Sequence, residues 1–168
     1  MTFTAGILTV SDKGARGERE DKSGAALREI LAAAGFAVAR YEIVPDEQDR
    51  IKDTLIAWAD LYRLNLILTT GGTGFAPRDR TPEAPAQALE RHAPGIGEAI
   101  RAYGLKKTPH AMLSRGIAGA RGQTLIVNLP GSEKAVRESM EAILEALPHA
   151  LELLCGQGGE CGTAPGRK

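Results

Sequence analysis

A chain of 168 residues, of which 43% are apolar, is long enough to bury most of its surface around one hydrophobic core, so we expect one domain. Its 21 basic and 21 acidic residues cancel, which argues against nucleic acid or a membrane surface as a partner and requires any anionic ligand to be held by local groups. No apolar run approaches the roughly 18 residues of a membrane span, and the first residues lack the pattern of a secretion signal, so we expect a cytoplasmic protein.

The first half of the chain alternates strand and helix patterns. Apolar runs of strand length occur in three places, over residues 5–10, 36–44 and 64–68. A helix with Ser23 as its N-cap and Gly35 after its end is predicted between the first two strands, and another helix follows Pro45 and Asp46. Alternation at this spacing predicts a parallel sheet that is covered by helices on both faces.

The second half begins with a predicted helix that has Thr81 as its N-cap and Pro82 at its first position. A further helix is expected over residues 96–105. The last long helix is predicted to be capped by Ser132 and broken at Pro148, because proline cannot continue a helical hydrogen-bond ladder.

Two short apolar segments, around Ile117 and over residues 124–129, are separated by a glycine-containing turn at residues 120–122, which predicts a hairpin. The expected fold class is therefore α/β, a three-layer α/β/α sandwich with a mostly parallel sheet that the hairpin makes mixed.

We expect residues 1–154 to form the domain and residues 155–168 to form a flexible, glycine-rich tail. Both cysteines of the chain, Cys155 and Cys161, fall in this tail. Their six-residue separation matches neither a CxxC redox pair nor a zinc site, so we interpret them as free thiols.

A glycine turn follows the third predicted strand. It is formed by residues 69–74, TTGGTG, in which glycine lets the backbone approach a ligand closely and point N–H groups at an anion. The next position is Phe75, where a Walker A loop would require lysine, so this is not the common phosphate loop. A tight strand-to-helix turn that binds nothing is the alternative. The candidate ligand-binding residues of the turn are Thr70, Gly71, Gly72, Thr73 and Gly74.

Ligands of open α/β sheets bind at the carboxyl ends of the strands, so loops that leave strands are the candidate site. Besides the glycine turn and its extension to Arg78 and Asp79, three loops meet this condition. They contribute Ser11, Asp12 and Lys13 after the first strand, Asp46 after the second, and Asn128, Pro130, Gly131 and Ser132 at the end of the hairpin. Their shared edge predicts a ligand that carries phosphate.

The two aspartates have structural alternatives. Asp46 precedes a helix and is either its N-cap or a functional carboxylate, or both. Asp79 is either a ligand of a hard cation, with Arg78 gripping phosphate, or one half of a surface ion pair with that arginine. Since Thr81 already supplies the predicted cap, Asp79 has no evident structural role in the sequence.

Further polar residues remain open between structure and binding. Ser132 is either only a helix cap or part of an anion site at the helix N-terminus. Ser114 and Arg115 form either a polar loop or a phosphate clamp. No Ser-His-Asp or Cys-His arrangement is evident, so covalent catalysis by a protein nucleophile is not expected.

The segments VPDE, TTGGTGFAPRDRTPEA, LSRG and NLPGS resemble, in order and spacing, the molybdopterin adenylyltransferase family of MogA and MoaB proteins over residues 7–154. The resemblance implies transfer of AMP from Mg-ATP to the terminal phosphate of molybdopterin, with release of pyrophosphate. It implies that Asp46 and Asp79 are the essential aspartates and hold Mg²⁺. It places substrates on the glycine turn, on Ser114 and Arg115, and on the NLPG segment.

The resemblance also implies a homo-oligomer, a trimer above all, and a downstream molybdate-insertion protein as a further partner. Arg78 or Lys13 would stabilise charge that develops during the transfer. Two other functions remain open: a MoaB-like carrier or assembly protein that binds molybdopterin or nucleotide without catalysis, and a CinA-like pyrophosphatase.

Overall fold

The computed structural model describes residues 2–156 and contains one six-stranded sheet with helices on both faces. The strands are β1 (Thr4–Val10), β2 (Ala37–Val44), β3 (Leu66–Thr70), β4 (Arg91–His92), β5 (Ala118–Arg121) and β6 (Thr124–Leu129). The helices are α1 (Asp12–Ala15), α2 (Lys22–Ala33), α3 (Gln48–Asp60), α4 (Glu83–Ala88), α5 (Pro94–Leu105), α6 (Glu133–Ile143) and α7 (Leu147–Leu154), with 3₁₀ turns at Pro109–Leu113 and Leu144–Ala146.

The strand order is β2-β1-β3-β6-β5-β4. The first four strands in this order are parallel, whereas β5 pairs antiparallel with both β6 and β4. The predicted mixed sheet is thereby confirmed. Thr70, the last residue of β3, pairs with Thr9 of β1 and with Leu129 of β6, so the carboxyl ends of the three central strands lie side by side.

Two hydrophobic cores, one on each face of the sheet, confirm the three-layer sandwich. Ile7 and Leu68 face the core formed with α2, α5, α6 and α7, and Leu8 and Ile67 face the core formed with α3 and α4. All four side chains are fully buried. Because the central strands are covered on both faces, they appear in the sequence as continuous apolar runs and not as alternating ones.

Three local predictions differ from the structure. The strand predicted over residues 64–68 is β3, which runs two residues further and includes Thr69 and Thr70. Helix α2 is capped by Asp21, whose carboxylate accepts a hydrogen bond from Gly24 N at 2.9 Å, and not by Ser23. The polar segment after β1, predicted as a loop, contains the short helix α1, whose N-cap is Ser11.

The start of α4 was also predicted incorrectly. Thr81 makes no capping bond, and the helix begins at Glu83, after Pro82. This later start places Pro85 in the first helical turn, where a backbone N–H has no partner within the helix and proline is tolerated.

The hairpin is present, with its turn at Gly122 and Gln123 rather than at residues 120–122. The exposed two-residue strand β4 was not predicted. Ser132 caps α6 as expected, through a 3.1 Å bond from Ala135 N. The helix is interrupted at the 3₁₀ turn before Pro148, which itself lies in the first turn of α7.

At the carboxyl end of the described chain, Cys155 follows α7 as a free thiol and packs against the core. Its Sγ lies 3.7 Å from Asn65 Nδ2, which donates to it, so Cys155 belongs to the folded part and not to the tail. Cys161 and the rest of the predicted tail from residue 157 onward lie outside the described residues. None of the helices within residues 2–156 is long and apolar enough to cross a membrane.

Candidate active site

A cleft of about 590 Å³ opens at the carboxyl ends of β1 and β3. Its walls include the starts of α2 and α6, and six of the residues predicted from the sequence line it: Ser11, Thr70, Gly71, Gly72, Gly131 and Ser132. The cleft therefore lies where the rule for open α/β sheets places ligand sites, at the carboxyl ends of strands.

The glycine turn requires glycine at two successive positions. Gly71 has φ 102° and Gly72 has φ 65°, both in the left-handed region. A Cβ on Gly71 would overlap the carbonyl oxygen of Val10, and a Cβ on Gly72 would overlap Thr81 Oγ1. The turn is therefore pressed against β1 on one side and against the segment before α4 on the other.

The N–H groups of the turn have different uses. Gly71 N donates to Leu129 O at 3.1 Å, so this group serves the structure and not a ligand. Within residues 2–156, the N–H groups of Gly72, Thr73 and Gly74 donate to no other group. Of these three unpaired amides, that of Gly72 belongs to a residue that lines the cleft, whereas Thr73 and Gly74 lie beyond its lining.

The start of α6 closes the cleft on the opposite side. Gly131 approaches the glycine turn so closely that a Cβ on it would lie 3.2 Å from the Cα of Gly71. Thr70 Oγ1 donates to Pro130 O at 2.6 Å and fixes this approach. Ser132 is thus both the helix cap and a residue of the cleft wall, since the positive end of the α6 dipole faces the cleft.

Beside the cleft, Asp12 joins two other predicted site residues. Its carboxylate accepts hydrogen bonds from Arg78 Nε at 2.7 Å and Nη2 at 3.0 Å, and from Asp46 N at 3.1 Å. The Arg78 hydrogen bonds, followed by the bond from the Asp46 backbone, hold the pKa of Asp12 below its ordinary value. Lys13, the next residue on α1, is exposed to solvent.

Asp46 does not cap α3. The residue that precedes the helix is Glu47, which makes no side-chain capping bond. Instead, Asp46 Oδ1 accepts from Arg80 N at 3.3 Å, and its Oδ2 faces Gly72. Burial raises the pKa of Asp46 to about 6, against the lowering effect of the Arg80 bond, and the negative charge of Asp79 raises it further.

Asp79 has a structural partner, which corrects the expectation that it has none. Its Oδ2 accepts a hydrogen bond from Ala76 N at 2.8 Å, and its own N donates to Ala76 O at 2.9 Å, so the carboxylate closes the turn in which it lies. Gly74 is held close to this carboxylate, because a Cβ on it would lie 2.8 Å from Asp79 Oδ2.

Arg115 binds the loop and not the cleft. Its guanidinium donates to Gly74 O at 2.8 Å, to Asp79 O at 2.7 Å and to the carboxylate of Glu83. Its backbone N donates to Thr73 O at 2.9 Å. With these partners in place, Arg115 holds the segment that carries Asp79. Its role as a phosphate clamp stays a prediction.

Ser114 and Asn128 also have structural partners. Ser114 Oγ accepts from Gly116 N at 3.4 Å. Asn128 is buried, donates through Nδ2 to Thr69 Oγ1 at 2.9 Å, and accepts from Ile117 N at 3.3 Å. Neither side chain lines the cleft.

One part of the cleft was missed in the sequence. Asp21 lines it and accepts from Thr9 Oγ1 at 2.6 Å, Tyr41 Oη at 2.5 Å and Ser23 Oγ at 3.2 Å. Although burial pushes its pKa upward, the bonds from Thr9 and Tyr41 bring the pKa of Asp21 below its ordinary value. The sequence did contain a signal for Asp21. The loop that leaves the carboxyl end of β1 continues to the start of α2, so Asp21 lies in a segment that the strand-end rule already marks as a candidate site. Two basic residues, Arg19 of this loop and Lys22 at the start of α2, also line the cleft.

Asp46 and Asp79 are the two carboxylates beside the glycine turn, next to Gly72 and Gly74 respectively. Within residues 2–156, histidine, cysteine, aspartate and glutamate form no group of three or more that could hold a metal ion. A pair of carboxylates suits Mg²⁺, which is usually held by one or two of them, with substrate phosphates and water completing its shell. Burial, and after it the negative charge of Asp79, raises the pKa of Asp46, and a cation beside the two carboxylates would oppose this effect.

Comparison with known proteins identifies the family of the chain. A family model described as a probable molybdopterin binding domain matches residues 6–149. The molybdopterin adenylyltransferase of Helicobacter pylori (strain J99) is 44% identical over 158 residues, which are 93% of this chain and 90% of that protein. The molybdenum cofactor synthesis protein cinnamon of Drosophila melanogaster is 48% identical over 155 residues, but this chain spans only 26% of its length.

Among solved structures, the molybdopterin biosynthesis enzyme MoaB from Thermus thermophilus superposes with a TM-score of 0.88 at 61% sequence identity, over 92% of this chain and 98% of that one. Family model, sequence relatives and fold therefore agree over nearly the whole described structure. The chain belongs to the molybdopterin-binding domain family, among its MogA and MoaB proteins.

Proposed function

We propose that this protein transfers the adenylyl group of ATP to the terminal phosphate of molybdopterin and releases pyrophosphate. The observation that carries the proposal is the convergence of Asp46 and Asp79, from two separate strand-end loops, on Gly72 and Gly74 of the same glycine turn. Two carboxylates beside unpaired backbone amides form a place for a cation and for phosphate oxygens together.

In the proposed reaction, a phosphate oxygen of molybdopterin attacks the α-phosphorus of ATP, a new P–O bond forms, and the bond between that phosphorus and the bridging oxygen to the β-phosphate breaks. Both reactants are anions, so positioning and charge neutralisation are the main requirements. Bound Mg²⁺ would neutralise phosphate oxygens. The amides of Gly72 to Gly74 and the start of α6 would bind phosphate, and no protein side chain needs to form a covalent intermediate.

The decisive assay gives the purified protein ATP, Mg²⁺ and molybdopterin and measures pyrophosphate. Release that requires all three components supports the proposal. Asp60→Asn is a suitable control for substitutions in the site, because Asp60 is a surface carboxylate that pairs with Arg121 outside the cleft. Absence of pyrophosphate while both substrates bind would overturn the transferase function.

That outcome would support the second candidate, a carrier or assembly protein that binds molybdopterin or nucleotide. The structural observation in its favour is that Asp12, Asp79 and Arg115 are all engaged in bonds that order loops. A carrier of this kind would bind both ligands in the same cleft without turnover. The CinA-like pyrophosphatase would instead hydrolyse ADP-ribose without a pterin.

We further propose a cytoplasmic homotrimer that passes its product to a molybdate-insertion protein, with residues 1–154 as the domain. Exposed apolar side chains of the 3₁₀ turn after α5, Met112 and Leu113, are 60% and 50% accessible and are available for contact with another subunit. Sedimentation at micromolar concentration tests the oligomer, and a monomer there would contradict it.

A further inference from the structure

Thr81 has a buried hydroxyl with no hydrogen-bond partner among the described residues. The residue is fully buried. Its backbone N donates to Gly72 O at 3.3 Å, and α4 begins two residues later, so the hydroxyl is not used as a helix cap. A buried hydroxyl without a partner destabilises a fold, and such a group at a functional site calls for a partner that is present only with ligand.

The missing partner is close. Thr81 Oγ1 and Asp46 Oδ2 face the same point on Gly72: a Cβ there would overlap the hydroxyl and would lie 2.7 Å from the carboxylate oxygen. The other oxygen of Asp46 accepts from the N of Arg80, the residue before Thr81. The carboxylate therefore lies along the segment 80–81 with one oxygen held by the backbone and the other beside an unused donor.

Resting on the proposed function, we propose that Thr81 is a positioning residue for Asp46. When a divalent cation binds, the Thr81 hydroxyl donates to Asp46 Oδ2, so that both carboxylate oxygens are held and one lone pair of Oδ2 remains for the cation. A donor behind a metal-ligating carboxylate orients the ligand and raises cation affinity. The absence of a side chain on Gly72 leaves the room that this contact needs.

The arrangement makes two predictions of opposite sign for Thr81→Val, which keeps the shape and removes the hydroxyl. In the ligand-free protein the variant should be more stable, with a melting temperature about 2–4 °C higher, because a buried unpaired polar group is removed. Its affinity for a cation should be lower by about 10-fold or more, in the range found for partners behind metal ligands. Thr81→Ser keeps the hydroxyl and should restore the affinity.

The experiment measures the melting temperature without ligand and the binding of Mn²⁺ alone, detected by the paramagnetic resonance of the free ion, in four proteins: the unsubstituted protein, Thr81→Val, Thr81→Ser and Asp46→Asn. The expected result is a more stable Thr81→Val with weaker Mn²⁺ binding, a serine variant close to the unsubstituted protein, and the weakest binding in Asp46→Asn.

Other outcomes separate this inference from the function on which it rests. A lower melting temperature for Thr81→Val would mean that the hydroxyl already has a partner in the ligand-free protein, and would overturn the inference. Mn²⁺ affinity that falls in Asp46→Asn but not in Thr81→Val would do the same. Affinity that is unchanged in Asp46→Asn would instead overturn the cation site of the proposed function.

Discussion

Arg78 and Asp12 form a two-pronged ion pair across 66 residues of sequence, with Nε and Nη2 each donating to one carboxylate oxygen. Since Asp12 also accepts from the backbone of Asp46, the loops after β1, β2 and β3 are tied to one another at the edge of the cleft. The pair is partly exposed, with 64% of the Arg78 side chain accessible. Its main effect is therefore to set the relative positions of the loops and not to stabilise the fold.

Because of this ion pair, we expect Arg78→Lys to reduce the rate of catalysis and to change thermal stability only slightly. Lysine cannot bond both oxygens of Asp12, so the loop that carries Asp79 loses part of its fixed position. We expect the melting temperature to change little and kcat/KM for adenylyl transfer to fall about 10-fold. Arg50→Lys, which alters an exposed pair with Glu42 outside the cleft, is the matched control. Equal loss in both variants would contradict the prediction.

The raised pKa of Asp46 predicts that the difference in stability between the unsubstituted protein and Asp46→Asn depends on pH. Its pKa in the folded protein, about 6, lies above the ordinary value of 3.8, so folding favours the protonated form. The contribution is present below the ordinary value and is lost as the pH rises through the folded pKa. Asp46→Asn keeps the acceptor for Arg80 N without the charge. Because solvent screens a half-exposed group, we expect it to be more stable by only about 1 kcal/mol, or roughly 2–4 °C, at pH 7.5.

At pH 4 the two proteins should melt at nearly the same temperature. Calorimetry across this pH range tests the difference, and a variant whose relative stability is the same at both ends would show that Asp46 is not strained by burial. Turnover should show the opposite preference. A cation ligand must be ionised and a bound cation favours the ionised form, so adenylyl transfer in the unsubstituted protein should rise with pH, with a midpoint at or below about 6.

Two substitutions of Asp79 distinguish the effect of its negative charge from the effect of its structural hydrogen bond. Asparagine retains an oxygen that accepts from Ala76 N, so Asp79→Asn should melt like the unsubstituted protein while turnover falls by about 100-fold or more. Alanine removes the acceptor as well, so Asp79→Ala should be less stable by about 0.5–1.5 kcal/mol in addition. Pyrophosphate release and calorimetry on both variants are needed. Near-normal turnover of the asparagine variant would exclude a role for the charge.

Substitution of two glycines with positive φ, Gly35 and Gly72, distinguishes the energetic cost of backbone strain from that of steric overlap. Gly35 has φ 83° with nothing within 4 Å of a Cβ, so Gly35→Ala should cost about 1–2 kcal/mol from backbone conformation alone. In Gly72→Ala the new Cβ also overlaps Thr81 Oγ1 and approaches Asp46, so an additional 1–3 kcal/mol, roughly, is expected together with loss of turnover. Denaturant unfolding of both variants measures the difference. Similar losses of unfolding free energy in the two variants would mean that the segment at Thr81 moves away from the new Cβ at little cost.

The fold was largely predictable because its central strands are apolar on both faces. The errors arose where tertiary contacts replace a local signal. Thr69 and Thr70 look like the start of a loop, but pairing with β1 and β6 extends the strand through them. Thr81 before Pro82 has the sequence of a helix cap, yet burial against Gly72 turns its hydroxyl away from that use.

The site was predictable in location and less so in role. Placing loops at strand carboxyl ends identified Asp12, Asp46 and Arg78 as neighbours. It did not show that Asp12 and Arg78 bind each other, because nothing local relates positions 66 residues apart. The same limit applies to Arg115, because the sequence did not show that its guanidinium supports the loop before α4 through Gly74 O and Asp79 O.

The wide sequence separation of these bonds has a consequence for folding. The bonds from Arg78 to Asp12, from Asp46 N to Asp12, from Arg80 N to Asp46 and from Arg115 to Asp79 O span 66, 34, 34 and 36 residues. Contacts at such separations form only after large chain loops have closed, whereas helices form early from local contacts. During refolding, the capacity to bind a cation should therefore return later than helical circular dichroism, and ligand binding becomes a kinetic marker for the docking of the loops that follow the strands.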